Sequence, residues 1–222
     1  MASLPDLDHL AAARPFLDFL NVRYYFDLPG DQAALGAALR PVQEADLQVY
    51  ESPTVWPRAF FTDRLWRYTQ PADLVNRILH GDGRPFAAAQ APDLPAGSPP
   101  RSLPDELAGR TVTPAAAYRL TEDSTAFSVT APASGIAVLT ETGWAGYGQA
   151  EVDGRPAPLY RVNHAFLGVF LAGPGTHRIV VTYAPRHRTL LLALSLGAGL
   201  ALAAAWVCAG RRPDPAAFPI AA

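Results

Sequence analysis

The sequence predicts an α+β, strand-rich fold: a small mixed α/β N-terminal part, a C-terminal antiparallel β-sandwich of jelly-roll-like form, and one C-terminal transmembrane helix. Three observations predict it. Asp153-Gly154 lies between the alternating segments Gln149–Val152 and Arg155–Val162, and an Asp-Gly dipeptide readily supplies the two positive φ angles of a type I′ hairpin turn. Gly135–Leu139 has no polar side chain, the pattern of a central strand covered on both faces. Leu190–Gly210 is an uncharged run, long enough as a helix to cross about 30 Å of hydrocarbon.

Taken in order, Arg14-Pro15 opens a helix through Leu20, with proline at the first helical position, where its missing N–H costs nothing. Val22, Tyr24 and Phe26 alternate as a strand. Asp31 caps a helix over Gln32–Leu39 that Pro41 stops. Leu47–Tyr50 and Arg58–Phe61 read as short strands. Pro71–Leu79 is a helix with Leu74, Val75, Ile78 and Leu79 on one face and Gly81 placed as its C′ glycine. Pro85–Ala89 is a further strand. Ala91–Glu106 carries five prolines among small and polar residues and reads as a linker or a long surface loop. Beyond it Phe127, Val129 and Ala131 alternate; then come Gly135–Leu139, the hairpin, Leu167–Val169–Leu171 against Phe166–Gly168–Phe170, and Ile179–Val181–Tyr183. About six or seven strands between Tyr118 and Tyr183 suit a sandwich or jelly roll. The expected division is residues 1–90, a Pro-rich connection at 91–112, a sandwich at 113–188, a transmembrane helix at 189–210 and a short tail at 211–222.

Composition narrows the function classes. The 222 residues are 50% apolar and 17% charged, with a net charge of −2. All 18 basic residues are arginine, spread without a basic block, so nucleic-acid binding has no electrostatic footprint. The single cysteine, Cys208, lies in the apolar C-terminal run and forms no intramolecular disulfide. His9, His80, His164, His177 and His187 show no ligand spacing, and no nucleophile elbow, phosphate loop or dinucleotide fingerprint is present. Catalytic, cofactor-binding and metal residues are therefore expected to be none in this chain. The apolar run is flanked by Arg186, His187 and Arg188 before and Arg211 and Arg212 after, which leaves the positive-inside rule silent on orientation. Met1–Asp8 has no charged and apolar leader pattern.

An ordered set of short matches runs along the chain: Leu20-Asn21-Val22-Arg23-Tyr24-Tyr25, Pro57-Arg58-Ala59-Phe60-Phe61, Gly143-Trp144, Val152-Asp153-Gly154, Tyr160-Arg161-Val162-Asn163, Ala165-Phe166-x-Gly168-Val169, Gly175-x-His177 and Tyr183-x-Pro185. From about Pro15 to the final apolar segment the chain resembles the C-terminal extracytoplasmic region and last transmembrane helix of the YfhO family, polytopic bacterial membrane proteins related to GT-C glycosyltransferases. It departs from the family's usual Tyr-Pro-Gly-Trp in having Glu141-Thr142-Gly143-Trp144. The resemblance implies a non-catalytic part of a protein that moves sugar from a polyprenyl-phosphate donor onto cell-envelope polymers such as lipoteichoic acid. The implied partners are the lipid bilayer, upstream transmembrane helices of the same or a companion protein, and envelope glycan. The implied location is the cell membrane with the soluble part outside. A chain made by itself would instead be tail-anchored, with that part in the cytoplasm. The alternative is a membrane-anchored interaction or structural module without a sugar role.

The candidate glycan contacts are Trp144, Tyr160, Arg161 and Asn163. Trp144, Tyr147, Tyr160 and Phe166 can form an aromatic platform, or Trp144 and Phe166 can fill the sandwich core. Strand alternation sets Tyr160 and Val162 on one face and Arg161 and Asn163 on the other. Asp153 is explained by its turn, and His177 is expected to act as a structural hydrogen-bonding residue.

Overall fold

A computed structural model of the chain describes residues 7–27, 39–44, 47–143, 148–183 and 187–210. It divides into two units, Met1–Tyr183 and Ala184–Ala222. In the first unit the elements are α1 (Leu7–Phe19), β1 (Tyr24–Asp27), β2 (Arg40–Glu44), β3 (Gln48–Glu51), β4 (Ala59–Thr62), β5 (Leu65–Arg67), α2 (Pro71–His80) and β6 (Ala87–Ala89). After two 3₁₀ turns, Ala91–Asp93 and Pro99–Ser102, come β7 (Val112–Pro114), β8 (Ala116–Leu120), β9 (Ser124–Ala131), β10 (Gly135–Leu139) and β11 (Gly148–Val152). The unit ends with β12 (Arg155–Ala157), β13 (Leu159–Val162), β14 (Phe166–Leu171) and β15 (Gly175–Tyr183). The second unit holds α3 (Arg188–Gly210).

Two five-stranded sheets form the sandwich, ordered β13-β14-β10-β4-β7 and β12-β11-β15-β9-β8. The antiparallel pairs are nested, β9 with β15, β10 with β14 and β11 with β12, and successive pairs alternate between the sheets. That nesting is the jelly-roll feature of the fold. Asp153 and Gly154 have φ of 53° and 76°, as the hairpin turn requires. The segment expected as one strand, Arg155–Val162, is two. Arg155–Ala157 pairs with β11 in one sheet, and Leu159–Val162 pairs with β14 in the other. Pro158 stands at the switch, and having no N–H it cannot extend the first ladder.

The first sheet is buried on both faces. Ala59, Phe61, Ala137, Leu139, Val169 and Leu171 meet Phe127, Val129, Ile179 and Val181 of the second sheet. Phe60, Ile136, Val138, Tyr160, Val162 and Phe166 point the other way into a layer built from Phe19, Trp56, Leu65, Leu74, Ile78 and Phe86. Gly135–Leu139 is thus central in both senses: it lies between two strands and between two layers, buried at every position. A small three-stranded sheet, β1-β3-β2, and a parallel β5-β6 pair complete the unit.

Several expectations are corrected. The expected boundary at 91–112 does not separate compact units, because β4 pairs with β10 and β7 across it. The Pro-rich stretch is no loose linker: Leu94, Leu103 and Leu107 are buried in the outer layer, and its prolines set two 3₁₀ turns. Helix α1 begins at Leu7, so Pro15 lies inside it and not at its start. Helix α2 buries Leu74 and Ile78 while Val75 stays exposed. Its Gly81 has φ −80° and ψ −162°, an extended conformation, not a left-handed cap. Glycine is required there because a Cβ would sit 2.4 Å from the Arg77 carbonyl oxygen. Apart from Leu39, the expected helix Gln32–Leu39 and its cap Asp31 lie outside the described residues.

Helix α3 contains a 20-residue stretch, Thr189–Cys208, long and apolar enough to cross a membrane. Its large apolar side chains are exposed along its length, Leu196, Leu200 and Trp206 among them.

Candidate functional site

Each expected contact residue has a structural task or lies outside the described residues. Tyr160 points inward from β13 and is buried in the outer layer, where desolvation pushes its phenol pKa up. It offers no face to a glycan. Arg161 points outward, and its Nε and Nη2 both donate to Asp93 Oδ1, at 2.8 and 2.5 Å. The Asp93 side chain is only 7% exposed, so Arg161 neutralises a carboxylate that burial would otherwise penalise. Trp144 and Tyr147 fall outside the described residues.

Asn163 does not share a face with Arg161, because β13 ends at Val162 and the alternation stops there. Asn163 has φ 50° and is 1% exposed. Its N–H donates to the Ala88 carbonyl at 2.6 Å. Its side-chain Oδ1 accepts from the Ala88 N–H at 2.6 Å, and its Nδ2 donates to the Phe86 carbonyl at 2.9 Å. One residue thereby continues the ladder onto β6 and uses its whole amide. Of the two aromatic readings, Phe166 does fill core, but the outer layer instead of the space between the sheets; its ring stacks on Phe19 with centroids 4.7 Å apart.

His177 locks the hairpin. Its Nδ1 meets Asp153 Oδ2 at 2.8 Å, and its Nε2 donates to the Gly173 carbonyl at 3.2 Å. Asp153 Oδ1 also accepts from the Arg178 N–H at 2.8 Å. The His177 bond first, and the Arg178 N–H next, hold the Asp153 carboxyl below the usual carboxylate range.

Among the described residues, two hollows offer places for a ligand. One, of about 180 Å³, opens at the end of the sandwich beside Leu120, Glu122, Asp123, Glu141 and Tyr183. Glu141 is already engaged there: Arg58 Nη2 donates to it at 2.9 Å, Thr125 at 3.0 Å, and the Tyr118 hydroxyl closely. The other, of about 290 Å³, lies between α1, α2 and the turn that follows α2, bounded by Arg14, Asp18, Trp56, Arg77, Asp82 and Arg84. Sequence reading missed this second cluster. Its members come from three separated stretches, and only packing of α1 on α2 brings them together. The single local hint was the Gly81-Asp82-Gly83-Arg84 run just after a helix that ends with Arg77 in its last turn.

Among the described residues no group of three or more His, Cys, Asp or Glu is placed to hold a metal ion. No protein-family model, curated protein or solved structure matches the chain.

Proposed function

We propose that this chain is the extracytoplasmic sandwich and final membrane helix of a YfhO-like protein, a non-catalytic part that presents or contacts envelope glycan while an upstream part handles the polyprenyl-phosphate sugar. The observation that carries the reading is a jelly-roll sandwich followed in sequence by a 20-residue apolar stretch exposed along its length. Such a surface is unfavourable in water and suits hydrocarbon. The residues that carry the family resemblance are fold-keeping: Asp153 and Gly154 make the hairpin turn, Asn163 ties β13 to β6, and His177 closes the hairpin. They support a shared scaffold more than a shared active centre.

Sidedness tests the reading directly. An Ala133→Cys, Cys208→Ser variant places one thiol at an exposed turn between β9 and β10. In the intact bacterium that makes the protein, a membrane-impermeant maleimide should label it before lysis. Labelling only after lysis would sink the extracytoplasmic reading. Capture of envelope polymers by the full chain in nanodiscs tests the glycan contact, and no capture of any envelope glycan would leave a membrane-anchored interaction module.

A further inference from the structure

The geometry points to the hollow between α1 and α2 as a binding site for a phosphate-type anion, held by arginine. Arg14, Arg77 and Arg84 line it together with Asp18 and Asp82, and Arg110 joins the cluster through Asp82. Asp82 Oδ1 accepts from Arg110 Nη2 at 2.6 Å and from the Arg84 N–H at 3.1 Å; the Arg110 bond holds its carboxyl below the usual range. Asp18 is occupied by the hydroxyls of Ser52 at 2.5 Å and Thr54 at 2.6 Å, with Arg14 Nε 4.0 Å away. Among the described residues, Arg14, Arg77, Arg84 and Arg110 against Asp18 and Asp82 leave two positive charges in excess, in a chain whose net charge is −2.

Two of these arginines have capacity to spare. Arg77 forms no ion pair within 4 Å among the described residues and lies on the exposed side of α2. The Arg84 guanidinium spends Nη2 on the Arg110 carbonyl at 3.0 Å and, among the described residues, forms no ion pair within 4 Å. A guanidinium presents planar paired donors that match phosphate oxygens. Behind them stand the buried rings of Trp56 and Phe86, and Trp56 Nε1 is already bound to the Gly83 carbonyl at 3.1 Å. The hollow therefore has a cationic rim and an apolar wall whose one polar atom is engaged. Arg77 also lies in the last turn of α2, where it offsets the partial negative charge of the helix end. That role needs no ligand and predicts no saturable binding.

The test uses the full chain in uncharged phosphatidylcholine nanodiscs, with arginine side-chain N–H resonances as readout and inorganic phosphate and glycerol 3-phosphate as probes. Saturable shifts are expected that weaken as salt is raised. Loss of one charge-assisted contact should raise Kd about tenfold in Arg77→Ala, since tenfold corresponds to about 1.4 kcal/mol. Arg77→Lys should recover most of the loss and keep the wild-type melting temperature, while Arg77→Ala should lower that temperature by no more than about 2–4 °C, the worth of a charge at a helix end. Equal Kd in wild type and Arg77→Ala, or equal shifts with neutral glycerol, would overturn the site. Phosphatidylglycerol in the disc identifies the source: shifts without added probe mean a lipid headgroup, and shifts with the soluble esters alone mean a free or polymer phosphate. The site does not rest on the glycosylation reading. A thiol labelled only after lysis would remove that reading and leave this one standing.

Discussion

At the scale of single residues, Asn163 shows how a position chosen for its polarity turns out to serve the backbone. Its amide satisfies a buried donor on β6, the Ala88 N–H, and a buried acceptor just before it, the Phe86 carbonyl. Asn163→Ala would orphan both and place alanine at φ 50°. We expect a loss of about 3 kcal/mol in urea unfolding, from two unmade buried hydrogen bonds and the left-handed backbone. Asn163→Asp should be no milder, because a carboxylate oxygen would face the Phe86 carbonyl. Acid sensitivity is also a residue property. Asp82 and Asp153 are both held below the usual carboxylate range, by Arg110 and by His177 respectively. Their contribution is fully present above the unfolded value of about 3.9 and falls away as pH drops through the lower folded values. A plot of urea midpoint against pH should therefore decline below about pH 4. Asp153→Asn and Asp82→Asn should each flatten that decline; an unchanged acid limb in both would show that other carboxyls govern it. The turn at Asp153-Gly154 was legible because its chemistry is local. Asn163 was misplaced because strand alternation says nothing about where a strand stops.

Among the elements, the central strand β10 is the least tolerant. A Cβ on Gly135 would meet the Phe61 ring and the Thr62 carbonyl oxygen, each at 2.4 Å. On Gly168 of β14 it would meet side-chain tips, Val162 Cγ1 at 2.8 Å and Ile136 Cδ1 at 2.9 Å. Backbone cannot step aside as a methyl tip can, so Gly135→Ala should cost about 2–3 kcal/mol and Gly168→Ala less, within the overpacking range. Equal costs in a denaturant series would contradict that ordering. For α3, Leu200→Arg puts a guanidinium near the middle of the apolar stretch. Membrane insertion should then become less favourable by about 2.5–3.5 kcal/mol on translocon-derived scales, read as the inserted fraction in a glycosylation-reporter assay. The apolar patterns of β10 and α3 were both legible because burial on all sides writes itself into unbroken apolar runs. Such a run does not say which strands flank it. That is why β4 was expected only as a short N-terminal strand and is in fact the neighbour of β10.

Over the whole molecule, β4 decides cooperativity. Phe60 serves the outer layer and Phe61 the sandwich core, so β4, like β10 and β14 of the same sheet, lines both cores, and the two should melt together. A single calorimetric transition is expected for the 1–183 unit, and Phe60→Ala should lower its midpoint along with Phe61→Ala, each by about 3–5 kcal/mol of stability. Two separate transitions would restore the division at 91–112. A fragment starting at residue 113 should fail to fold, since it lacks β4, the strand between β10 and β7 in the first sheet. The arginine cluster was illegible at this scale for the same reason as the sheet order: both depend on segments far apart in sequence that meet only after folding. The place of β4 also sets a timetable for synthesis. Phe61 leaves the ribosome well before Ala137, its partner in β10, and at about 5–20 residues per second the interval is roughly 4 to 15 seconds. Until β7 and then β10 emerge, Ala59-Phe60-Phe61-Thr62 is a largely apolar segment without its partner strands. The danger of aggregation for this chain is then governed by how quickly it is translated and by what shields it meanwhile, more than by how stable the finished sandwich is.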